Sequence, residues 1–144
     1  MIYYALKIEG GSDKIEIEKG TEITSAEISF DTINDDTQRK SNAILARMTI
    51  CGTVDEKINA NLIKIFEWSR DLKNETTYRD VTLTVYSDDG DTVLRIYELP
   101  SMFVCDYKES YKGANNNDAF TFELKLTQRE NRIKEIKTYT LGNT

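Results

Sequence analysis

Most of this chain alternates between apolar and polar residues, and a period of two restricts it to a fold built mainly from β-strands. One stretch breaks the alternation. Residues 53–72, TVDEKINANLIKIFEWSRDL, repeat apolar side chains at steps of three, four and seven. Because that spacing puts them on one face of an α-helix, the sequence predicts a β-rich protein with a single helix.

We expect the helix to begin at Thr53, because Thr53 and Glu56 have the spacing of a capping box. Ile63 and Trp68 flank the apolar face on its two sides, which makes the apolar surface wider than one core contact needs. Two interpretations stay open: the helix is set deeply into its own domain, or one flank contacts another subunit. The face that we expect to be buried consists of Ile58, Leu62, Ile65, Phe66 and Leu72.

The alternating segments predict eight or nine strands. The first two form a hairpin around residues 10–13, and the last segment is either a weak strand or a helical turn followed by a strand. Pro100, the only proline, is expected in a connection or at a strand end, where its missing N–H does little harm. Two connections are long and polar, residues 31–42 and 112–118. The strands are predicted over residues 2–8, 14–19, 26–30, 43–51, 78–86, 92–98, 102–107, 119–128 and 132–141.

Many short strands separated by turns favour a barrel or a sandwich, and closing the sheet would remove exposed strand edges. A chain of 144 residues is long enough to bury its own core. We see no repeat and no linker. The sequence therefore predicts one domain over residues 1–144.

The chain carries a formal charge of −6 and has no basic stripe. This argues against a nucleic-acid groove and against binding to an anionic membrane surface. The N-terminal residues MIYYALKIEG lack the features of a secretory signal, and no apolar run is long enough to cross a bilayer. We expect synthesis in the cytoplasm, with export by a route that needs no cleaved signal left open.

No catalytic group of residues is recognisable. The chain has no histidine, which removes the commonest general base and the usual partner of a nucleophilic serine or cysteine. Cys51 and Cys105 are expected to be free buried thiols, with a disulfide as the alternative, and two isolated cysteines do not suggest a zinc site. No glycine-rich phosphate loop is present. We therefore expect no catalytic residues, no cofactor and no metal.

The acidic residues have a simple interpretation as a solvated surface, with a carboxylate-based hydrolase as the competing hypothesis. Residues 88–91, Asp-Asp-Gly-Asp, suit a hairpin turn better than a calcium loop, because they lack the ligand spacing of an EF-hand. The eight tyrosines suit half-buried strand faces and a protein–protein interface equally well.

Residues 78–136 have a specific order of features. A strand leads into an Asp-Gly hairpin, a returning strand ends near Leu99, another strand has a polar tail, and the next carries Phe122-Glu123-Leu124. This order resembles the haemolysin-coregulated protein (Hcp) family of type VI secretion and the tail-tube proteins of contractile phages and phage-like injection systems. The helix with its Trp68-Ser69 end lies where that family has its helix, and residues 31–42 lie where it has a long extended loop. The resemblance covers about half the chain.

The resemblance implies a β-barrel of two packed antiparallel sheets with one α-helix at the side. It implies a structural protein without catalysis or cofactor. Six subunits would form a ring with sheets joined around a central channel, and rings would stack into a tube inside a contractile sheath. Implied partners are other copies of the chain, with sheath, baseplate or spike and cargo proteins, but no nucleic acid and no membrane. The assembled location would be a virion tail, a secretion system or another injection particle.

Subunit contacts in this interpretation would come from the helix flanks and the two polar loops. The main competing function is a monomeric β-barrel that binds a small ligand or carbohydrate, which an aromatic-lined pocket would favour. The predicted interface residues are Ile63, Trp68, Ile33, Asn34, Arg39, Lys112, Asn115 and Asn116.

Overall fold

The computed structural model describes residues 2–11, 13–32, 44–113, 119–129 and 132–140. Within these ranges the chain forms eight strands, two helices and one 3-10 turn. In chain order they are β1 (Tyr3–Gly10), β2 (Asp13–Gly20), β3 (Ile23–Thr32), β4 (Ile44–Thr53), α1 (Asn59–Ser69), α2 (Asn74–Thr77), β5 (Arg79–Tyr86), β6 (Val93–Lys112), β7 (Ala119–Gln128), the 3-10 turn Ile133–Glu135, and β8 (Lys137–Tyr139).

All eight strands belong to one antiparallel sheet in the order β2-β1-β5-β6-β7-β4-β3, with β8 paired to β6. β6 is twenty residues long and connects two parts of this sheet. Its first half, residues 93–102, pairs with β5, and its second half, residues 103–112, pairs with β7. The mainly β architecture with a helix is confirmed, and the two predicted sheets are two parts of one hydrogen-bonded sheet.

The continuity of β6 corrects the prediction that residues 92–98 and 102–107 are separate strands. Pro100 lies inside the strand, and Ser101 next to it has a φ of 59°. The Oδ1 atom of Asp80 accepts a hydrogen bond from the Ser101 N–H at 3.1 Å, where the register with β5 shifts. An irregularity of this kind lets a proline occur within a strand, because the local ladder is already interrupted.

The core is formed by the inward faces of seven strands together with the helix. Alternation predicted most of these positions correctly, including Met48 and Ile50 in β4 and Leu124 in β7. Phe30 and Phe120 share the predicted faces but lie near strand ends, and both are exposed. The buried core residues are Leu6, Ile8, Ile15, Ile17, Ile23, Ala46, Met48, Ile50, Ile58, Leu62, Ile65, Trp68, Val81, Leu83, Leu99, Met102, Phe122, Leu124 and Leu126.

The helix begins later than the sequence predicts. Thr53 is the last residue of β4, and its N–H donates to the Glu22 carbonyl at 2.8 Å. α1 begins at Asn59 after Ile58, with no side chain bonded at its N-cap. The predicted capping box is therefore wrong, because the β-sheet already uses Thr53.

One side of α1 covers the free edge of β2. The Asn61 Oδ1 atom accepts a hydrogen bond from the Glu16 N–H at 3.3 Å, and the Lys64 ammonium donates to the Lys14 carbonyl at 3.3 Å. Among the described strands β2 otherwise pairs only with β1, and these bonds satisfy further backbone groups on it. The helix therefore protects this edge from pairing with another chain.

The same helix also packs against β6. Just before α1, the Val54 N–H donates to the carbonyl of Phe120, whose partner in β6 is Tyr111. At the other end, Trp68 donates to the Thr77 carbonyl, close to where β5 begins opposite Met102. These bonds place the two ends of α1 near the two ends of the second half of β6.

Candidate functional site

Trp68 is part of the protomer core. It is 1% exposed, and its indole N–H donates to the Thr77 carbonyl at 2.8 Å. The Arg79 guanidinium lies 5.3 Å from the centroid of the Trp68 ring. Of the two interpretations of the helix, Trp68 fits the one that sets it deeply into its own domain, because α2 and the start of β5 fold over its side chain.

The exposed apolar residues of this region are Ile63, Phe66 and Leu72, at 52%, 44% and 92% exposure. The predicted burial of Phe66 and Leu72 is therefore wrong. Leu72 follows the end of α1 at Ser69, so helical spacing does not apply to it. Ile63 and Phe66 lie on the flank of α1 opposite Asn61 and are named here the helix patch.

A polar cluster fixes the connection after the helix. The Asp71 carboxylate lies 3.7 Å from the Arg79 guanidinium, and the Arg79 Nε–H donates to the Thr76 carbonyl at 3.0 Å. Hydrogen bonds from the Thr76 side chain and the Lys73 backbone, with the charge of Arg79, lower the pKa of Asp71 below its usual value. This cluster holds the segment that covers Trp68, which is a structural role.

The part of the sheet formed by β3, β4, β7 and the second half of β6 has an unpaired strand at each edge. Within the described ranges, β3 pairs only with β4, and the second half of β6 pairs only with β7. Each open edge is ten residues long, and most of its residues are exposed. β3 contains neither lysine nor proline, the residues that commonly protect sheet edges. We name these the β3 edge and the β6 edge.

The outward face of these four strands is polar and carries both signs of charge. Glu123 and Lys125 of β7 approach to 3.8 Å, and Arg47 lies 3.4 Å from Asp31. Lys108 of β6 is directly opposite Glu123. Such a face suits contact with water or with polar molecules rather than a further apolar layer.

Both cysteines are free thiols on this outward face. Cys51 is half-buried, with its Sγ 3.7 Å from the Glu123 carboxylate. Cys105 is exposed, so its predicted burial is wrong. It lies where the register between β6 and β7 shifts, and its Sγ donates to the Lys125 carbonyl at 3.3 Å.

The residues 88–91 form the predicted hairpin turn. The carboxylate of Asp89 accepts hydrogen bonds from the Ser87 hydroxyl, the Asp91 N–H, and the N–H and hydroxyl of Thr92. These bonds hold the pKa of Asp89 far below its usual value. In the described part of the chain, no group of three or more Cys, Asp or Glu residues is arranged to hold a metal ion.

Two surface clefts bear on the competing functions. A cleft of about 390 Å³ is lined by Leu45, Tyr78, Phe103, Thr127, Gln128 and Arg129. Tyr78 and Phe103 contact edge to face at 5.8 Å, and the Arg129 guanidinium covers the Tyr78 ring at 4.9 Å. That contact takes up a face of the Tyr78 ring on which a sugar or an aromatic ligand would stack.

The second cleft, of about 260 Å³, is lined partly by Glu16, Glu18 and Glu22. Glu22 is paired with Lys57 at 3.4 Å, and Glu16 with Lys14 at 3.5 Å. Pairing of this kind is typical of structural ion pairs, so the cleft gives the hydrolase hypothesis little support.

The structure describes three of the eight predicted interface residues. Ile63 is exposed, Lys112 is exposed at the end of the β6 edge, and Trp68 is buried. Ile33, Asn34, Arg39, Asn115 and Asn116 lie outside the described residues. The sequence analysis missed the two open edges, although the absence of lysine and proline from β3 was a visible signal. It also missed Phe30 as an exposed apolar residue.

No helix among the described residues has the length and apolar character that a bilayer span requires. No protein-family model matches the sequence. No curated protein matches it either. Structural similarity is therefore the comparison that bears on the fold.

Several solved structures share the architecture over nearly the whole chain. Hcp1 from Flavobacterium johnsoniae has a TM-score of 0.58 at 13% identity, covering 94% of this chain and 95% of its own. Hcp1 from Salmonella typhimurium has a TM-score of 0.59 at 11% identity, covering 96% and 87%. A chain from the sheath/tube terminator of PVC, an extracellular contractile injection system, has a TM-score of 0.59 at 17% identity, covering 95% and 93%. The fold expected from the resemblance is confirmed: this chain has the fold of Hcp and of chains in contractile injection systems.

Proposed function

We propose that this chain is the structural subunit of the inner tube of a contractile injection system. The shared fold with Hcp1 and with a chain of the PVC sheath/tube terminator supports this function. The observation that carries it is the pair of open edges on the four-stranded part of the sheet. A subunit with two different open edges can join its neighbours on both sides, which a ring requires.

Strand direction is compatible with such a joint. The four strands alternate in direction from β3 through β4 and β7 to the second half of β6. Because their number is even, the β3 edge of one copy and the β6 edge of the next run in opposite directions after a simple rotation. The antiparallel pattern then continues from copy to copy, and both edges gain hydrogen-bond partners.

A ring of six copies, as in the family resemblance, would have about 24 strands in its wall, and at about 4.8 Å per strand the wall would measure roughly 115 Å around. The polar outward face would line the channel, and the helices would lie outside it. Stacking of such rings makes the tube. We place Ile63 and Lys112 at or near the contact between copies, with Ile33, Asn34, Arg39, Asn115 and Asn116 as further proposed contact residues.

The remaining parts of the proposal follow from the tube. Residues 1–144 act as one domain without catalysis or cofactor. The subunits are made in the cytoplasm and become part of a phage tail, a secretion system or an injection particle. Sheath proteins surround the tube, baseplate or spike proteins contact its end, and cargo passes through or rests in its channel.

Size-exclusion chromatography with light scattering tests the proposed assembly. We expect a discrete species of about 100 kDa, six times the 16.6 kDa of one chain, or larger stacks built from it. A monomer over a wide range of protein concentrations would contradict the proposal and would favour the monomeric ligand-binding alternative.

A further inference from the structure

The two open edges define the register of the joint between copies. This inference rests on the proposed ring. The β3 edge, Ile23–Thr32, and the β6 edge, residues 103–112, are both ten residues long. Each edge contains a register shift, between Ile23 and Ser25 in β3 and between Val104 and Asp106 in β6, so regular pairing is available to residues 25–32 and 106–112. The antiparallel register that pairs residues 25–29 of one copy with residues 106–110 of the next keeps side chains of the same orientation opposite each other.

This register pairs side chains that suit each other. It places Glu27 of one copy directly opposite Lys108 of the next, and Ser25 opposite Ser110. All four face outward, as the pairing of Glu27 with Thr49 and of Lys108 with Glu123 shows. Opposite charges at directly facing positions of an antiparallel pair attract, whereas like charges repel.

On the inner side of the joint, the same register places Ile28 opposite Tyr107. Both are half-buried and pack against the core of their own protomer. Phe30, 53% exposed, lies on the same side of β3 because its partner Ala46 is buried. It comes next to the beginning of the β6 edge, and the end of α1 lies beside that part of β6. Phe66, 44% exposed and with the Arg70 guanidinium 4.7 Å from the centroid of its ring, lies in the last turn of α1.

We propose that a second copy of this chain docks with its β3 edge on the β6 edge in this register, and that Phe30 then packs against the helix patch. The joint thus has two sides. Glu27 and Lys108 form a charge pair on the channel face, and Phe30 covers Phe66 and Ile63 on the outer face. This arrangement buries Phe30, Phe66 and Ile63, which are exposed in the isolated protomer, and the burial favours assembly.

A charge exchange tests the register in the full chain. Glu27→Lys or Lys108→Glu alone places like charges opposite each other. Each single substitution should raise, by about tenfold, the protein concentration at which half the subunits are assembled. The reason is that like charges at directly facing positions repel and weaken the contact between copies. The double variant Glu27→Lys/Lys108→Glu restores the pair and should return this concentration to within about twofold of wild type. Analytical ultracentrifugation measures it.

Phe30→Lys tests the contact between Phe30 and the helix patch. It should impair assembly at least as strongly as the single charge variants do, because it puts a charge against the helix patch. Glu18→Lys is the matched control: Glu18 is an exposed acid on β2, outside the joint, and this variant should assemble as wild type does. Circular dichroism spectra and thermal midpoints like those of wild type establish that each variant is folded.

The outcomes separate this inference from the proposed function. If the wild-type chain forms no ring, the proposed function fails and the joint fails with it. If the wild type forms rings but the single charge variants assemble equally well, or the double variant fails to recover, the register is overturned while the ring stands. If Phe30→Lys assembles normally, the proposed contact between Phe30 and the helix patch is overturned, while the register of the joint stands.

Discussion

Trp68 and Ile63 occupy opposite environments on the same helix, and replacing each by alanine should separate a core role from a surface role. Trp68→Ala leaves a large cavity, which costs about 3–5 kcal/mol of unfolding free energy. It also removes the indole N–H bond to Thr77, of about 1 kcal/mol, within that total. Ile63 is 52% exposed, so Ile63→Ala should change the unfolding free energy by less than about 0.5 kcal/mol.

Urea unfolding followed by far-UV circular dichroism measures both effects, at a protein concentration where the transition no longer depends on concentration. Because a domain of this size is stable by about 5–15 kcal/mol, the loss in Trp68→Ala is a large share of the total. The loss of unfolding free energy in Trp68→Phe should lie between the losses in Trp68→Ala and Ile63→Ala. Phenylalanine keeps most of the packing but leaves the Thr77 carbonyl without its donor. Equal, small effects for Trp68→Ala and Ile63→Ala would refute the placement of Trp68 in the core.

Three further changes test separate parts of the fold. Gly52→Ala should destabilise the protein by about 1–3 kcal/mol in urea unfolding, because a Cβ there would overlap the Glu22 carbonyl oxygen; wild-type stability would refute this close approach. Ser101→Gly should be neutral or stabilising by up to about 1 kcal/mol, whereas Ser101→Val should be clearly destabilising, because a φ of 59° suits glycine and is strained for a β-branched residue. The lowered pKa of Asp89 means that its contribution to stability is fully present above the usual aspartate pKa of 3.8 and is lost as the pH falls below it. Asp89→Asn should therefore lower the thermal midpoint near pH 7 and flatten its decline below pH 4, and an unchanged pH profile would contradict this.

Local pattern predicted much of the sheet, because the side chains of a strand must alternate between core and solvent. Met48 and Ile50 are buried for this reason, and the position of the helix between β4 and β5 also followed from spacing alone. The sequence predicts Pro100 in a connection or at a strand end, because a proline lacks the N–H that a ladder needs. The bulge that accommodates it depends on Asp80, twenty-one residues from Ser101, which no local pattern contains.

The candidate interface depended on information that periodicity does not carry. Trp68 is buried by α2 and Arg79, which reach it only through the tertiary fold. Phe66 looks like a core residue by spacing, yet it is 44% exposed, with the Arg70 guanidinium 4.7 Å from the centroid of its ring. The open edges follow from strand order, and strand order is decided by contacts between distant segments. Sequence alone therefore indicated a helix with excess apolar surface, and the structure identified Phe66 and Ile63 as the exposed part of it.

The central claim is that copies of this chain close into rings through the β3 and β6 edges. Negative-stain electron microscopy of the purified full chain tests it most directly. The account predicts rings with a central channel, alone or stacked end to end. At a protein concentration between the half-assembly values of wild type and Glu27→Lys, rings should be lost in Glu27→Lys and recovered in Glu27→Lys/Lys108→Glu. Dispersed particles of monomer size under conditions where the chain is folded and concentrated would contradict it.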